Sequence, residues 1–291
     1  MDKDLLFGHI LAFGSVFFWS SLYVSVKVLL DYLGPLELLV LQFVIGYFLL
    51  LIYKPKIVIL QFKTEIWFFL CGLCGITIYN LFLNLAMNHT YASNVSIIIA
   101  TAPLFTGIFS FIIGIEKPYR NFFIGFVLSI IGVYLLSFNG AIHISPYGDM
   151  LALVSAIGWG LYAVLVVKIM QVDIHIVLAT RKVIFYGIVC MLPSFLFLSF
   201  DINVENLMRP DVIANLLFVA VFASGICFIM WNKATKLIGA IRTNIYVYLT
   251  PLITIAVSMI VLDERLSILG YLGAFLTLCG VVISEYKRSE K

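Results

Sequence analysis

The 291-residue chain is 63% hydrophobic and 11% charged, far from the roughly 45–50% and 25% of a soluble domain. That composition excludes a water-soluble globular protein, and the length is better counted in units of the roughly 20 apolar residues that cross a bilayer. The 18 Lys and Arg against 15 Asp and Glu leave a net charge of +3, which loop topology accounts for without nucleic acid or an acidic partner.

Apolar runs between charged or turn-rich breaks predict ten spans. Span 1 (7–29) follows "MDKD" and is too long and too well followed by others for a cleavable signal peptide, so it reads as a transmembrane helix. It aligns Gly8, Ala12, Ser15, Trp19 and Tyr23 on one face. Span 2 (36–53) carries Gln42, with Glu37 near its end as an interface anchor. Span 3 (66–87) places Thr77, Asn80 and Asn84 on one face beside Tyr79. Its "CGLC" at 71–74 has redox or metal spacing, but no second pair and no His at ligand distance, so these cysteines read as small buried residues. Span 4 (95–115) contains Pro103, and span 5 (122–138) carries Gly125, Ser129 and Gly132. Span 6 (150–169) repeats the face of span 1 with Gly148, Ala152, Ser155, Trp159 and Tyr162. Span 7 (177–198) opens on Arg181 and Lys182, and span 8 (213–235) ends on Trp231 and Asn232. Span 9 (245–262) begins near Asn244 and holds Tyr248 and Pro251, and span 10 (268–285) carries Gly273, Thr277 and Gly280.

The breaks are short, so neighbouring spans run antiparallel and no soluble domain is inserted. Alternate loops collect 15 of the 18 Lys and Arg on one side, which predicts both termini in the cytoplasm. The chain also repeats itself. "APLFTGIFSFIIGIEK" at 102–117 returns as "TPLITIAVSMIVLDER" at 250–265, an offset of 148 that also pairs Asn84 with Asn232 and Gly125 with Gly273. Nearer the front, an offset of 140 pairs Trp19 with Trp159. Two units are expected, 1–140 and 141–291. Five spans in each put the second unit upside down relative to the first, the recurrent build of carriers whose central site opens alternately to each side.

The five-span repeat, the early tryptophan, "P-L-x-T-x-x-x-S" ahead of "E-K" or "E-R", and the closing "G-x-x-L-x-x-x-G-V" resemble the EamA-type drug/metabolite transporter superfamily over essentially the whole chain. The resemblance implies a ten-helix inner-membrane carrier with a central cavity. Its members export amino acids and small metabolites or carry nucleotide sugars and triose phosphates. Many relatives carry Arg in span 2; here Gln42 stands there, while Arg181 is kept in span 7.

The small-residue stripes read as helix-packing faces. Trp19 and Trp159 lie mid-span and should face protein or a cavity, with Tyr23 and Tyr162 beside them. Tyr79, Asn80, Asn84, Trp231, Asn232, Asn244 and Tyr248 could hydrogen-bond a polar ligand or join helix to helix, since an amide facing lipid is costly. Asn84, Asn232 and Asn244 stand nearest the span ends and suit a gate or snorkelling contact as well. Arg181 and Lys182 either snorkel or pair with a substrate carboxylate, and the resemblance favours Arg181 for the cavity. Pro103 and Pro251 would bend spans 4 and 9 by leaving the carbonyls of Ile99 and Val247 unbonded, either as plain kinks or as hinges. No carboxylate sits at mid-depth for proton or cation relay, and His89 reads as solvated. No nucleophile, metal site or acid pair gathers as an enzyme would need, so no catalytic residue, metal or cofactor is expected. The expectation is an all-α bacterial inner-membrane exporter of small polar metabolites, foremost amino acids, as a monomer or a dimer of carriers. Another metabolite class (nucleotide sugar, sugar phosphate, drug) or a lipid flippase or scramblase shares the architecture.

Overall fold

The computed structural model describes residues 3–89, 95, 98–137, 145–253, 256 and 268–285; the side chains at 22–24, 27, 136–137 and 285 lie outside that description. Every regular element among the described residues is helical. Helix α1 (Lys3–Leu30) is followed by α2 (Pro35–Tyr53), which starts on a proline whose absent N–H would have had no intrahelical partner. The third run changes its winding within one rod: α3 (Phe62–Cys71), a π-helical stretch Gly72–Ile78, and α4 (Tyr79–His89). Helix α5 (Ala102–Ile113) stops at Gly114, whose φ of 74° closes a left-handed cap. The Ile115 N–H then reaches back to the Ser110 carbonyl at 2.9 Å.

Helices α6 (Arg120–Ser137), α7 (Pro146–Met170) and α8 (Ile176–Met191) follow, and α8 tightens into a 3-10 turn, Leu192–Leu196, at Pro193. A short α9 (Val204–Leu207) precedes a second composite rod of α10 (Pro210–Phe218), a π-helical stretch Val219–Ile226, and α11 (Cys227–Ile238). Gly239, at φ 86°, turns the chain into α12 (Ala240–Ile245) and a 3-10 turn, Tyr246–Leu249. The last described helix is α13 (Ile268–Glu285). Among the described residues, six runs are long and apolar enough to cross a bilayer: Lys3–Ser21, Pro35–Tyr53, Phe62–His89, Pro146–Met170, Ile176–Leu196 and Pro210–Ile238.

Two local differences from the sequence reading have one cause. The helix expected from 95 is interrupted by a turn at Ala100–Thr101 and restarts at Ala102, so Pro103 occupies the first helical turn and removes no internal bond. Pro251 likewise follows a 3-10 turn, in the helical turn that resumes at Thr250. In both places the winding changes just ahead of the proline. Thr254, Ser258, Glu264 and Arg265 of the second copy lie outside the described residues.

Packing is reciprocal between the parts of the chain related by the offset. α1 packs on α11, while α7 packs on α4; α2 meets the π stretch before α11, while α8 meets the π stretch before α4. α6 and α13 face each other, with small residues on both sides. A methyl on Gly132 would stand 2.5 Å from the Thr277 amide nitrogen, and one on Gly280 would stand 2.2 Å from Ser129 Oγ. Backbone contact this close needs the small side chains, because lipid supplies no hydrophobic force between helices.

The helix ends collect into two groups. At one end, His9 Nδ1 meets the Tyr246 hydroxyl at 2.9 Å, Glu116 meets α12, and Arg181 and Lys182 meet the 54–65 segment. At the other, Asn84 donates to the Pro35 carbonyl at 3.2 Å, Ser145 donates to the His89 carbonyl at 2.7 Å, and the Asp201 N–H donates to Glu37 at 2.8 Å. The first group holds Lys54, Lys56, Lys63, Lys117, Arg181, Lys182, Lys233, Lys236 and Arg242, and is called the basic end below.

Candidate functional site

A cavity lies between α1, α2, the α3–α4 rod and the α10–α11 rod. It encloses ≈ 580 Å³ of empty space, its mouth included, and its lining includes Trp19, Gln42, Tyr79, Asn80, Asn84 and Ser224. Phe43 and Phe228 complete an aromatic floor, and Val26, Met87 and Val219 carry the space toward the end away from the basic cluster. None of its described lining side chains carries a full charge. Such a surface offers a ligand amide hydrogen bonds and ring contact.

The π stretches shape this wall. A π turn bonds to the fifth residue on and changes which carbonyls are spoken for, and such turns concentrate at functional sites. The Trp19 indole donates to the Ala223 carbonyl at 3.1 Å, within the second stretch. Asn80 Nδ2 donates to the carbonyls of Gly75 and Ile76 at 3.0 and 3.1 Å, within the first. Gly75 and Ala223 are 148 residues apart, the offset of the repeat. In each case a polar side chain at the cavity is held by a carbonyl of a π turn. Asn80 Oδ1 keeps its acceptor capacity beyond those two donations.

Behind the cavity is a packed aromatic and amide layer. Trp19 meets Trp159 edge-on at 5.3 Å between centroids and Trp231 at 5.5 Å, and Tyr79 meets Trp159 at 4.6 Å. The Trp159 indole donates to Asn244 Oδ1 at 3.0 Å, and Asn244 donates onward to the Thr106 hydroxyl. The Tyr162 hydroxyl donates to Asn232 Oδ1 at 2.7 Å, and Asn232 donates to the Thr180 hydroxyl at 3.0 Å. Tyr162, Trp231, Asn232, Asn244 and Tyr248 are fully buried. The Trp231 Nε1 and the Tyr248 hydroxyl have no hydrogen-bond partner among the described residues.

Of the residues marked out by sequence, the structure therefore brings Trp19, Tyr79, Asn80 and Asn84 to the cavity wall. Trp159, Tyr162, Trp231, Asn232, Asn244 and Tyr248 stand in the layer behind it. The Tyr23 side chain lies outside the described residues. Arg181 is not at the cavity: it is 6% exposed at the basic end, where its guanidinium donates to the carbonyls of Lys54 and Lys56. Gln42, Ser224, Phe43 and Phe228 line the cavity without having been marked as site residues. Gln42 was legible as an uncharged amide within an apolar span; the other three carry no sequence signal that separates them from ordinary packing residues. Cys71 and Cys74 are buried free thiols, and among the described residues no three of His, Cys, Asp and Glu come together.

At the basic end a carboxylate contact joins two segments of the chain. Glu116, delivered by the left-handed cap at Gly114, accepts from the N–H groups of Ala240 and Ile241 at 2.8 and 3.4 Å. A carboxylate at a helix start suits the unbonded N–H groups there, and it ties the loop after α5 to α12.

Known proteins extend this picture. The EamA-like transporter family matches residues 6–138 and again residues 146–286. An "Uncharacterized transporter" of Archaeoglobus fulgidus is 25% identical over 289 residues, covering 97% of this chain and 98% of its own length. The "Uncharacterized transporter YvbV" of Bacillus subtilis is 28% identical over 278 residues, covering 94% of this chain and 89% of its own. A solved structure titled "Crystal structure of protein" superposes with a TM-score of 0.77 at 17% identity, over 95% of this chain and 97% of that one, and so shares the fold. An all-helical apolar bundle, a cavity between its helices and two matches along one chain lead to one conclusion: the chain belongs to the EamA-like transporter family and is a multi-pass membrane transporter.

Proposed function

We propose that the chain exports small polar metabolites, with amino acids as the first substrate class, across a bacterial inner membrane by alternating access. The observation that carries this is the cavity wall: three amides and two indole or phenol rings, with no fixed charge among its described residues. Each amide bond to a ligand contributes on the order of 0.5–1.5 kcal/mol net, so a small solute is held weakly and released readily. The lack of a basic cluster among the described residues of that wall ranks phosphorylated substrates lower.

Alternating access rests on a ten-helix reading in two units, 1–140 and 141–291, inserted in opposite senses. What supports it is the reciprocal packing of α1 on α11 and α7 on α4, together with the two π stretches ending at Ile78 and Ile226, 148 residues apart. The basic end is the cytoplasmic one in this reading, with both termini there. Its closure by Glu116 then leaves the cavity directed outward. The halves rock about the α6–α13 contact, and the winding changes ahead of Pro103 and Pro251 serve as hinges.

Counterflow into proteoliposomes with each labelled amino acid tests the substrate class. Saturable uptake of at least one, lost in Asn80→Ala, is expected. Failure of all twenty alongside transport of a sugar phosphate overturns it, and flipping of a lipid reporter with no solute flux replaces it with a lipid flippase.

A further inference from the structure

A second groove opens on the outer flank of the basic end, remote from the cavity. It lies between the 54–61 connection and α8, encloses ≈ 1030 Å³ of empty space with its mouth, and is lined in part by Ile57, Ile59, Glu65, Arg181, Lys182 and Phe185. Its charges do not balance. Lys182 Nζ pairs with Glu65 at 2.7 Å, and that same carboxylate accepts from the Tyr186 hydroxyl at 2.7 Å and the Leu60 N–H at 2.9 Å. Arg181 meets only carbonyl oxygens; no carboxylate among the described residues pairs with it. A guanidinium buried without a counter-ion is costly, and it retains donors beyond the two it spends here.

The connection beside it alternates as an extended chain does. Val58 and Leu60 turn inward, while Ile57 and Ile59 are 77% and 89% exposed, flanked by Lys54, Lys56 and Lys63. Two outward isoleucines among lysines, next to an uncompensated arginine, match an amphiphile with an anionic head and apolar tails. Basic pockets between transmembrane helices recognise acidic lipid headgroups by the same charge complementarity.

We propose that this groove binds an anionic phospholipid of the adjoining leaflet, its phosphate at Arg181 and Lys182 and its acyl chains along Ile57, Ile59 and Phe185. The lipid neutralises Arg181 and fastens the connection between α2 and α3 to α8. A free anion shares the headgroup chemistry but gains nothing from the isoleucines. The site is independent of the substrate cavity.

The test is thermal unfolding of the delipidated full-length protein in neutral detergent, titrated with phosphatidylglycerol, phosphatidylcholine or inorganic phosphate. Phosphatidylglycerol is expected to raise the midpoint well beyond phosphatidylcholine, and phosphate alone is expected to leave it unmoved. Arg181→Gln or Lys182→Gln should weaken the phosphatidylglycerol response by about tenfold in apparent affinity, as losing a charge-assisted bond does. The Ile57→Ser/Ile59→Ser variant, changed only at exposed positions, should weaken it too. If Arg181→Gln fails to fold, the other two variants decide. Equal responses to both lipids, a full response to phosphate, or an undiminished response in folded Lys182→Gln or Ile57→Ser/Ile59→Ser protein overturns the site.

Discussion

Individual buried amides divide by what they touch. Asn232 is fully buried between Tyr162 and Thr180, so Asn232→Leu strands a hydroxyl on each side. It should cost about 1–3 kcal/mol, the price of unsatisfied buried groups, read as a lower unfolding midpoint in detergent. Gln42 lines the cavity instead. Gln42→Ala should leave the midpoint nearly unchanged while weakening substrate binding by up to about tenfold, the equivalent of one lost hydrogen bond, measured by titration of the transported solute. The two residue types look alike in the chain, and only their partners separate a packing amide from a ligand-facing one. An equal midpoint loss in both variants would erase that distinction.

Elements carry the close contacts. In α6 and α13 the backbones approach until a single methyl cannot fit: a Cβ on Gly132 would stand 2.5 Å from both the Thr277 nitrogen and its hydroxyl. Gly132→Val should therefore destabilise by about 1–3 kcal/mol or more through overpacking, with thermal unfolding as the measurement. A surface-facing control on the same helix, Val127→Ala, is 52% exposed and should do little. The π stretches behave differently, because their carbonyls hold cavity side chains. Trp19→Phe keeps the ring but loses the bond to the Ala223 carbonyl. It should change substrate affinity more than stability, and a melt paired with a binding titration separates the two.

At the scale of the whole molecule, the proposed alternating access makes the Glu116 contact at the basic end the gate that sets which way the cavity faces. Glu116→Gln keeps the shape and removes the charge from the bonds to Ala240 and Ile241. Hydrogen bonds to charged groups are worth about 1.5–3 kcal/mol, so the closed population should fall by roughly tenfold or more. Maleimide labelling of a cysteine placed at Ile241, 2% exposed in this closed arrangement, should quicken accordingly. Unchanged labelling would remove Glu116 from the gate. The opposed insertion proposed for the halves has its own check. Reporter tags in the connection at Lys56 and at Glu205, which join corresponding elements of the two units, should report on opposite faces of the membrane.

The apolar runs, the prolines that open α2, α7 and α10, and the repeat at an offset of 148 are local or periodic properties, and each could be read from the chain. So could the small-residue stripes of α6 and α13, since helical spacing alone aligns each of them, though not that the two face each other. The sequence by itself thus determined a helical membrane protein written in two similar copies, and its kinship with a transporter family.

Only the tertiary structure decided which polar groups meet. Trp19 reaches Ala223 across 204 residues, and the basic residue expected at the substrate, Arg181, is held by backbone carbonyls of Lys54 and Lys56. The π turns of α3–α4 and α10–α11 likewise pack against α8 and α2, partners far away in the chain. The physical reason is the same in each case. A hydrogen bond between distant segments depends on helix rotation and register, which the pattern of apolar residues constrains to a face but not to a partner.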